Sequence, residues 1–371
     1  MRKLFVLLAA VALVVAFTAP ARAEVSFYGH ILFETYMQDV SDAPDIGRTY
    51  SATDTLWLVD HGDSRFGANF KNGDFSANVE IRARMDSLER QWNASWNFGA
   101  GTLTIGHGWT PDFSVIVGWA YGPGTSGGYG DPGGSVRADM IQLATGGLKV
   151  ALAQPYTAGH GTPTTWPTPS AATRVVAGYD DVETSIPKLI ASYNLNVGPA
   201  AIKLFGAYQT YAERDSATDN TVDIDTTYLG ANVNVGFGPA YVKAQYWMGQ
   251  NVGVMAPFPY PPKTAHGPVY IGTTLTDEDN SAYGVVVGYN ISETMKIEAG
   301  YEASKSECDA GTYAEDTNSA YYVTLPIKVG KNFTLTPEII FWDDEDYVDQ
   351  AGVSYEQGDT TLYGIAWKIT F

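Results

Sequence analysis

The chain has 371 residues, with 41 Asp and Glu against 22 Lys and Arg, and a formal net charge of −19. That balance excludes a nucleic-acid partner, which needs a basic surface. A single cysteine, Cys308, excludes an internal disulfide, and the low charged fraction of 17% beside 24 Tyr, 15 Phe and 9 Trp asks for a fold that uses aromatic side chains heavily.

The first residues read as an address. Arg2 and Lys3 precede an unbroken apolar run from Leu4 to Phe17, and small residues stand at Ala21 and Ala23 before Glu24. This is the pattern of a cleavable secretory signal over residues 1–23, and the run is too short for an ordinary membrane span. Removing Arg2, Lys3 and Arg22 with the signal takes the net charge from −19 to −22. No cysteine follows the cleavage position, so no lipid anchor is expected there.

From Glu24 onward the dominant signal is alternation. Val25, Phe27, Ile31 and Phe33 share one parity, while Ser26, His30 and Glu34 share the other. Period two over this length means a strand with one apolar face. Short turn signals then cut the chain: Asn72-Gly73, Gly99-Ala100-Gly101, Gly146-Gly147, Gly198-Pro199-Ala200, Gly238-Pro239, Asn290-Ile291-Ser292 and Gly330-Lys331-Asn332. Between them lie long polar or Gly/Pro-rich stretches at 110–136, 158–185, 253–280 and 343–357. Strands of about ten residues then fall at 24–38, 54–71, 74–87, 91–99, 102–109, 137–145, 148–157, 186–197, 200–214, 223–236, 240–252, 281–290, 295–308, 318–329, 333–347 and 358–371.

The expected fold is therefore all-β, a transmembrane antiparallel β-barrel of about 16 strands over 24–371, with short turns at one end and long loops at the other. No later segment offers 18 consecutive apolar residues, so no transmembrane helix is expected. At the end of the chain Tyr363, Ile365, Trp367, Ile369 and Phe371 alternate with small and polar residues. An apolar face ending on Phe371, with Ile369 and Trp367 behind it, resembles the assembly signal of outer-membrane barrels. The turns at Gly198 and Gly238 stand one blade length apart, which a soluble propeller also offers, but no blade signature repeats.

Three short motifs, in order, resemble the trimeric general porins of Gram-negative bacteria: Phe27-Tyr28-Gly29 on the first strand, Ser64-Arg65-Phe66-Gly67 on the second, and Phe98-Gly99-Ala100-Gly101-Thr102-Leu103-Thr104-Ile105-Gly106 entering the fifth. The match is clearest over 24–157 and in the last strand. The resemblance implies a homotrimer in outer-membrane lipid and lipopolysaccharide, with no cofactor. Each subunit would hold a water-filled channel for ions and small hydrophilic solutes. It further implies that the third long loop, 110–136, folds into the lumen and sets acidic residues against a basic wall.

Carried over by position, Arg65 and Arg137 match basic wall residues, while His30 and His107 occupy two positions often basic in that family. Alternation separately puts His30, Arg65, Arg82 and Arg84 on the face away from lipid. His107 shares parity with Leu103 and Ile105, so a pore-lining His107 requires a bulge near Gly106. On the loop, Asp131 is the first acidic candidate and Asp112 the second. With an unperturbed pKa of about 6.5, two such histidines would be mostly neutral at neutral pH and would shift the pore toward anions on acidification. The apolar stretch Val115, Ile116, Val117, Trp119, Ala120, Tyr121 is expected to pack against the wall.

Other chemistry is weakly supported. Gly124-Thr125-Ser126-Gly127-Gly128 has nucleophile-elbow spacing without the strand and helix it needs, and Gly122–Gly127 fits a dinucleotide fingerprint without its βαβ context. No histidine stands in a metal-binding spacing, and no metal is expected. Asp277-Glu278-Asp279 and Asp343-Asp344-Glu345-Asp346 could bridge lipopolysaccharide through divalent cations, or simply be solvated loop charge. Glu307 and Asp309 beside Cys308 disfavour its thiolate. Two readings compete with a general porin: a substrate-specific channel of the same architecture, and an outer-membrane barrel enzyme, for which no Ser, His and Asp stand in order.

Overall fold

A computed structural model describes residues 24–41, 53–58, 64–82, 89–118, 137–155, 181–215, 219–254, 269–271, 274–308, 316–344, 347–348, 354–355 and 359–371. The signal at 1–23 lies outside them. Nineteen antiparallel segments join one sheet. Thr53–Leu58 and Arg65–Asn72 both pair with Glu24–Ser41 and so ride one barrel strand. The same holds for Asp181–Glu183 with Lys188–Val197, and for Asp316–Thr324 with Ile327–Lys328. Sixteen barrel strands result.

In chain order they are β1 (Glu24–Ser41), β2 (Thr53–Leu58 and Arg65–Asn72), β3 (Phe75–Arg82), β4 (Glu89–Asn97), β5 (Thr102–Trp109), β6 (Arg137–Thr145), β7 (Leu148–Ala153) and β8 (Asp181–Glu183 and Lys188–Val197). They continue as β9 (Ala200–Asp215), β10 (Asn220–Phe237), β11 (Ala240–Gln250), β12 (Glu278–Asn290), β13 (Lys296–Cys308), β14 (Asp316–Thr324 and Ile327–Lys328), β15 (Phe333–Asp344) and β16 (Asp359–Thr370). Each pairs with its chain neighbours, and β16 returns to β1, so the sheet has no free edge. Closure matters because an unpaired backbone group in lipid costs several kcal/mol.

All sixteen expected strands have a counterpart among the described residues, and all seven short turns are observed; 59–63, 83–87, 156–157, 345–346 and 358 of the expected strands lie outside the described residues. Gly146 and Gly147 both take left-handed backbone, with φ of 54° and 89°, as a two-residue hairpin with the twist of its strands demands. The second strand differs from expectation by its interruption. At the break, Ser64 Oγ donates to the Leu32 carbonyl at 3.2 Å and accepts from the Leu32 amide at 2.9 Å, replacing the missing ladder bonds. Among the described residues β9 and β10 run 16 and 18 residues, while β3 to β7 run six to nine.

Alternation sorts the side chains. Leu204, Leu229, Val285, Val287, Ile105, Ile141, Leu143 and Val323 are exposed on the outer face. Phe75, Trp96, Phe98, Phe237, Tyr289 and Phe371 mark the short-turn end of that face, and Tyr246, Tyr283, Tyr301, Tyr321 and Tyr363 lie further toward the long loops. An apolar band between aromatic girdles is what a lipid bilayer selects. The seam is closed by the last residue: Gly29 and Phe371 exchange two backbone hydrogen bonds of 3.0 Å.

Candidate functional site

The site is assembled from the inner faces of strands and from residues 110–118, which leave β5 and turn inward. The root is fixed by stacking: Trp109 lies 3.9 Å from the Phe113 ring, centroid to centroid, and the Arg137 guanidinium sits 4.2 Å over Trp109. From there the loop follows the inner wall from β8 to β14. Lys203 on β9 donates to the Phe113 carbonyl, and Lys243 on β11 donates to the Ile116 carbonyl at 2.8 Å. Ser114 accepts from Asn232 on β10 and donates to Gln245 on β11. The Gly118 amide donates to the Tyr322 hydroxyl at 3.0 Å, and that hydroxyl donates to Glu298 at 3.0 Å.

Apolar contacts follow the same path. Ile116 and Val117 are buried against Tyr36, Val286, Ala320, Tyr322, Ile340 and Leu362, with Val115 beside them. The expected packing of the apolar stretch is thus found for Val115, Ile116 and Val117, while Trp119, Ala120 and Tyr121 lie outside the described residues. A side chain at Gly118 would displace Glu298, since a Cβ there would stand 1.7 Å from a Glu298 carboxylate oxygen. Glu298 itself is fully buried and collects Tyr241, Tyr322, Lys243 at 3.3 Å and Lys296 at 3.6 Å.

Eight strands round the barrel, the wall is basic. Arg65 on β2 and Arg90 on β4 flank Glu80 on β3, and Arg82 follows Glu80 on the same face of β3 and pairs with Arg65 in the ladder. Arg90 Nε donates to Glu80 Oε1 at 2.8 Å, Arg65 Nε stands 3.6 Å from Oε2, and Tyr28 and Gln91 also donate to this carboxylate. Arg137 has Glu80, Arg82, Arg90 and Arg65 as its charged neighbours. His30 is buried on the inner face directly opposite Arg65 in the ladder. Arg84 and Asp131 lie outside the described residues.

Two expectations are corrected. His107 does not line the pore. Strand β5 stays in register with β4 and β6, pairing His107 with Trp92 and Asp139, and no extra residue enters at Gly106 despite its φ of 124°. In an unslipped ladder side chains alternate between faces, so His107 shares the outer face with Ile105, its Nδ1 3.0 Å from Asp139 Oδ1; Arg137 has the same parity, but it is the first residue of β6 and its guanidinium lies over Trp109. Asp112 does not face the arginine wall either. It is fully buried at the loop root, with Lys188 and Lys203 as its charged neighbours.

The bulge exists, but between β3 and β4. Glu80 pairs with Gln91 and Ile81 with Glu89, leaving Arg90 as the extra residue, turned to Glu80. Arg90, Glu80 and the lysines under the loop escaped the sequence reading. Parity gives a signal for Glu80, which alternates with Val79 and Ile81. Nothing in one strand alone announces a bulge that depends on its partner.

Outside similarity agrees with this geometry. A family model described as Gram-negative porin matches residues 9–335. No curated protein sequence matches the chain. Among solved structures, the outer membrane channel DcaP of Acinetobacter baumannii is similar at 15% identity, with 95% of this chain and 99% of that one covered and a TM-score of 0.71. An anion-selective porin from Comamonas acidovorans is 14% identical over 94% and 100% of the two chains, with a TM-score of 0.59. The trimer form of the outer membrane protein OmpT of Vibrio cholerae is 14% identical over 94% and 99%, with a TM-score of 0.57. With the family model spanning most of a closed sixteen-strand barrel, the chain belongs to the Gram-negative porin family and is an outer-membrane channel for passive diffusion.

Proposed function

We propose that the chain forms a homotrimer of pores that pass small hydrophilic solutes with a preference for anions. One observation carries the reading: residues 110–118 are bound along the wall from β8 to β14, while Arg65, Arg82, Arg90 and Arg137 belong to β2, β3, β4 and β6. In a closed sixteen-strand barrel β3 stands opposite β11, so residues 110–118 line one side of the lumen and the arginines the other. The lysines on the loop side are engaged elsewhere, Lys203 by Phe113 and Lys243 by Ile116 and Glu298. Ion preference follows the groups at the narrowest point rather than the net charge of the chain.

The trimer has support on the outer face. His107 is the sixth residue of β5, about 13 Å above the turn for a strand rising ~3.3 Å per residue at a tilt of ~40°. That is the middle of an apolar band about 25 Å tall. There a His–Asp pair, with the Asp139 side chain 58% exposed, stands among Trp92, Ile105 and Ile141. Polar groups at this depth are costly against lipid, which favours a neighbouring copy as their cover. The rest of the outer band meets outer-membrane lipid, with lipopolysaccharide around the long loops.

Single-channel recording of the purified protein in a planar bilayer under a salt gradient tests this. Ohmic steps in threes and a reversal potential on the anion side are expected. A folded barrel that does not conduct, or a cation-side reversal potential, overturns it.

A further inference from the structure

The inner face near the long loops holds more than the third loop. On β9 to β12 the inward residues one step beyond the third loop's contacts, on the long-loop side, are apolar: Phe205, Tyr228, Trp247 and Ala282, all buried, with Trp247 at 0% and Phe205 at 2% exposure. In an open water-filled lumen such faces would be wet. Val252, also at 0%, completes the cluster, and it belongs to the root of the sixth long loop.

That root is built to enter the barrel. Asn251 takes left-handed backbone with φ of 54°, which turns the chain sharply after β11. Its amide Nδ2 donates to the Asp225 carbonyl at 2.9 Å and to Asp277 Oδ1 at 2.8 Å, while its Oδ1 accepts from the Glu278 amide at 2.9 Å. The Val252 amide then donates at 2.7 Å to the inward Asn280, which in turn donates to Ser306. Asp277, one of the acids that could have held a cation, is thus tied to this turn. The geometry also relates the two loops. Ser114 of the third loop sits on Gln245 and Asn232, and Val252 packs with Trp247 and Tyr228. Trp247 is two residues further along the same inward row of β11.

We propose that Asn251–Val254 is a second specificity-determining element of the pore. It occupies lumen on the extracellular side of the third loop, over the same wall, and so lowers the size limit for solutes before they reach the arginines. Chain atoms packed on Trp247 and Tyr228 exclude water from that side, and the aqueous cross-section falls accordingly. The inference rests on the channel reading.

The test measures single-channel conductance and liposome swelling with neutral sugars of graded size for the wild type, Asn251→Gly and Asn280→Ala. Glycine keeps the left-handed turn while removing the three side-chain ties, and Asn280→Ala releases Val252 from the opposite partner. Both leave the ladder intact, and heat-modifiable migration checks that each barrel is folded. The expected result is a higher conductance in both, with a shift of the size limit to larger sugars. A conducting wild type with two folded variants that keep its conductance and size limit overturns this inference alone. A folded wild type that does not conduct overturns the channel reading and this inference with it.

Discussion

Lys243 Nζ donates to the Ile116 carbonyl at 2.8 Å while standing 3.3 Å from the buried Glu298 carboxylate. One ammonium thus joins the third loop, the β11 wall and the β13 wall. Ile116 cannot lose this donor cheaply, because a buried carbonyl without a partner costs about 1–3 kcal/mol. Lys243→Ala is expected to raise open-channel current noise and lower the melting temperature of the folded barrel. A quiet channel with wild-type melting would show that the loop is held without Lys243.

Packing carries the other half of that anchorage. Ile116→Ala leaves a void among Tyr36, Val286 and Tyr322, and large-to-small changes of this kind cost about 2–5 kcal/mol. Since the affected contacts join a loop to a wall, the loss is expected to appear as proteolytic cutting near the loop in a barrel that still resists heat. Unfolding of the whole barrel at lower temperature, with no preferential cut, would mean that Ile116 supports the wall rather than the loop.

The arginine wall makes an electrostatic prediction. Glu80 and Arg90 are both about 3% exposed in their side chains and 2.8 Å apart. Breaking a buried pair by removing one partner costs about 3–5 kcal/mol, because the remaining charge is left without its counterion. Glu80→Gln should therefore be less stable, and it should also move the reversal potential further to the anion side. Arg65→Gln should move it toward cations with little loss of stability, Arg65 being more exposed and 3.6 Å from Glu80. If both substitutions leave the reversal potential unchanged, the permeation path does not run along this wall.

Sixteen strands and their turns were legible because period two and the glycine turns are local signals. The inner face of β1, β2 and β3 was legible for the same reason, which is how His30, Arg65 and Arg82 were assigned to it. What failed depends on two strands at once. Whether a bulge falls at Gly106 or at Arg90 is decided by pairing, and neither segment records it alone. Asp112 failed for a related reason: its lysine neighbours lie on β8 and β9, far along the chain. Nor does any sequence period announce that a valine after β11 will turn inward onto Trp247.

The misplaced histidine yields a sharp test. On the outer face, His107 is expected to have no part in selectivity, so His107→Leu should keep the wild-type reversal potential from pH 8 to pH 5. The same substitution separates lipid from protein as its neighbour. Against lipid, leucine replaces a polar group and should stabilise the barrel. Against a second copy, it removes the partner of Asp139 and should lower the temperature at which the trimer dissociates in detergent. A raised dissociation temperature would place this patch against lipid.

The last residue makes a prediction about assembly in which two causes can be separated. A Cβ added at Gly29 would lie 2.6 Å from the Arg65 carbonyl and 2.8 Å from the Phe371 ring, so both the strand on one side and the aromatic terminus on the other require glycine. Gly29→Ala is expected to reduce the folded, heat-modifiable fraction. Phe371→Ala removes the ring that stacks on Phe66 at 6.4 Å but keeps the two backbone bonds to Gly29, so it should slow barrel closure more than it destabilises the closed form. The double variant relieves only the ring contact. If the Arg65 carbonyl is the harder obstacle, being backbone held in the ladder, the double variant should fold no better than Gly29→Ala. Recovery of folding in the double variant would instead assign the strain at the seam to Phe371.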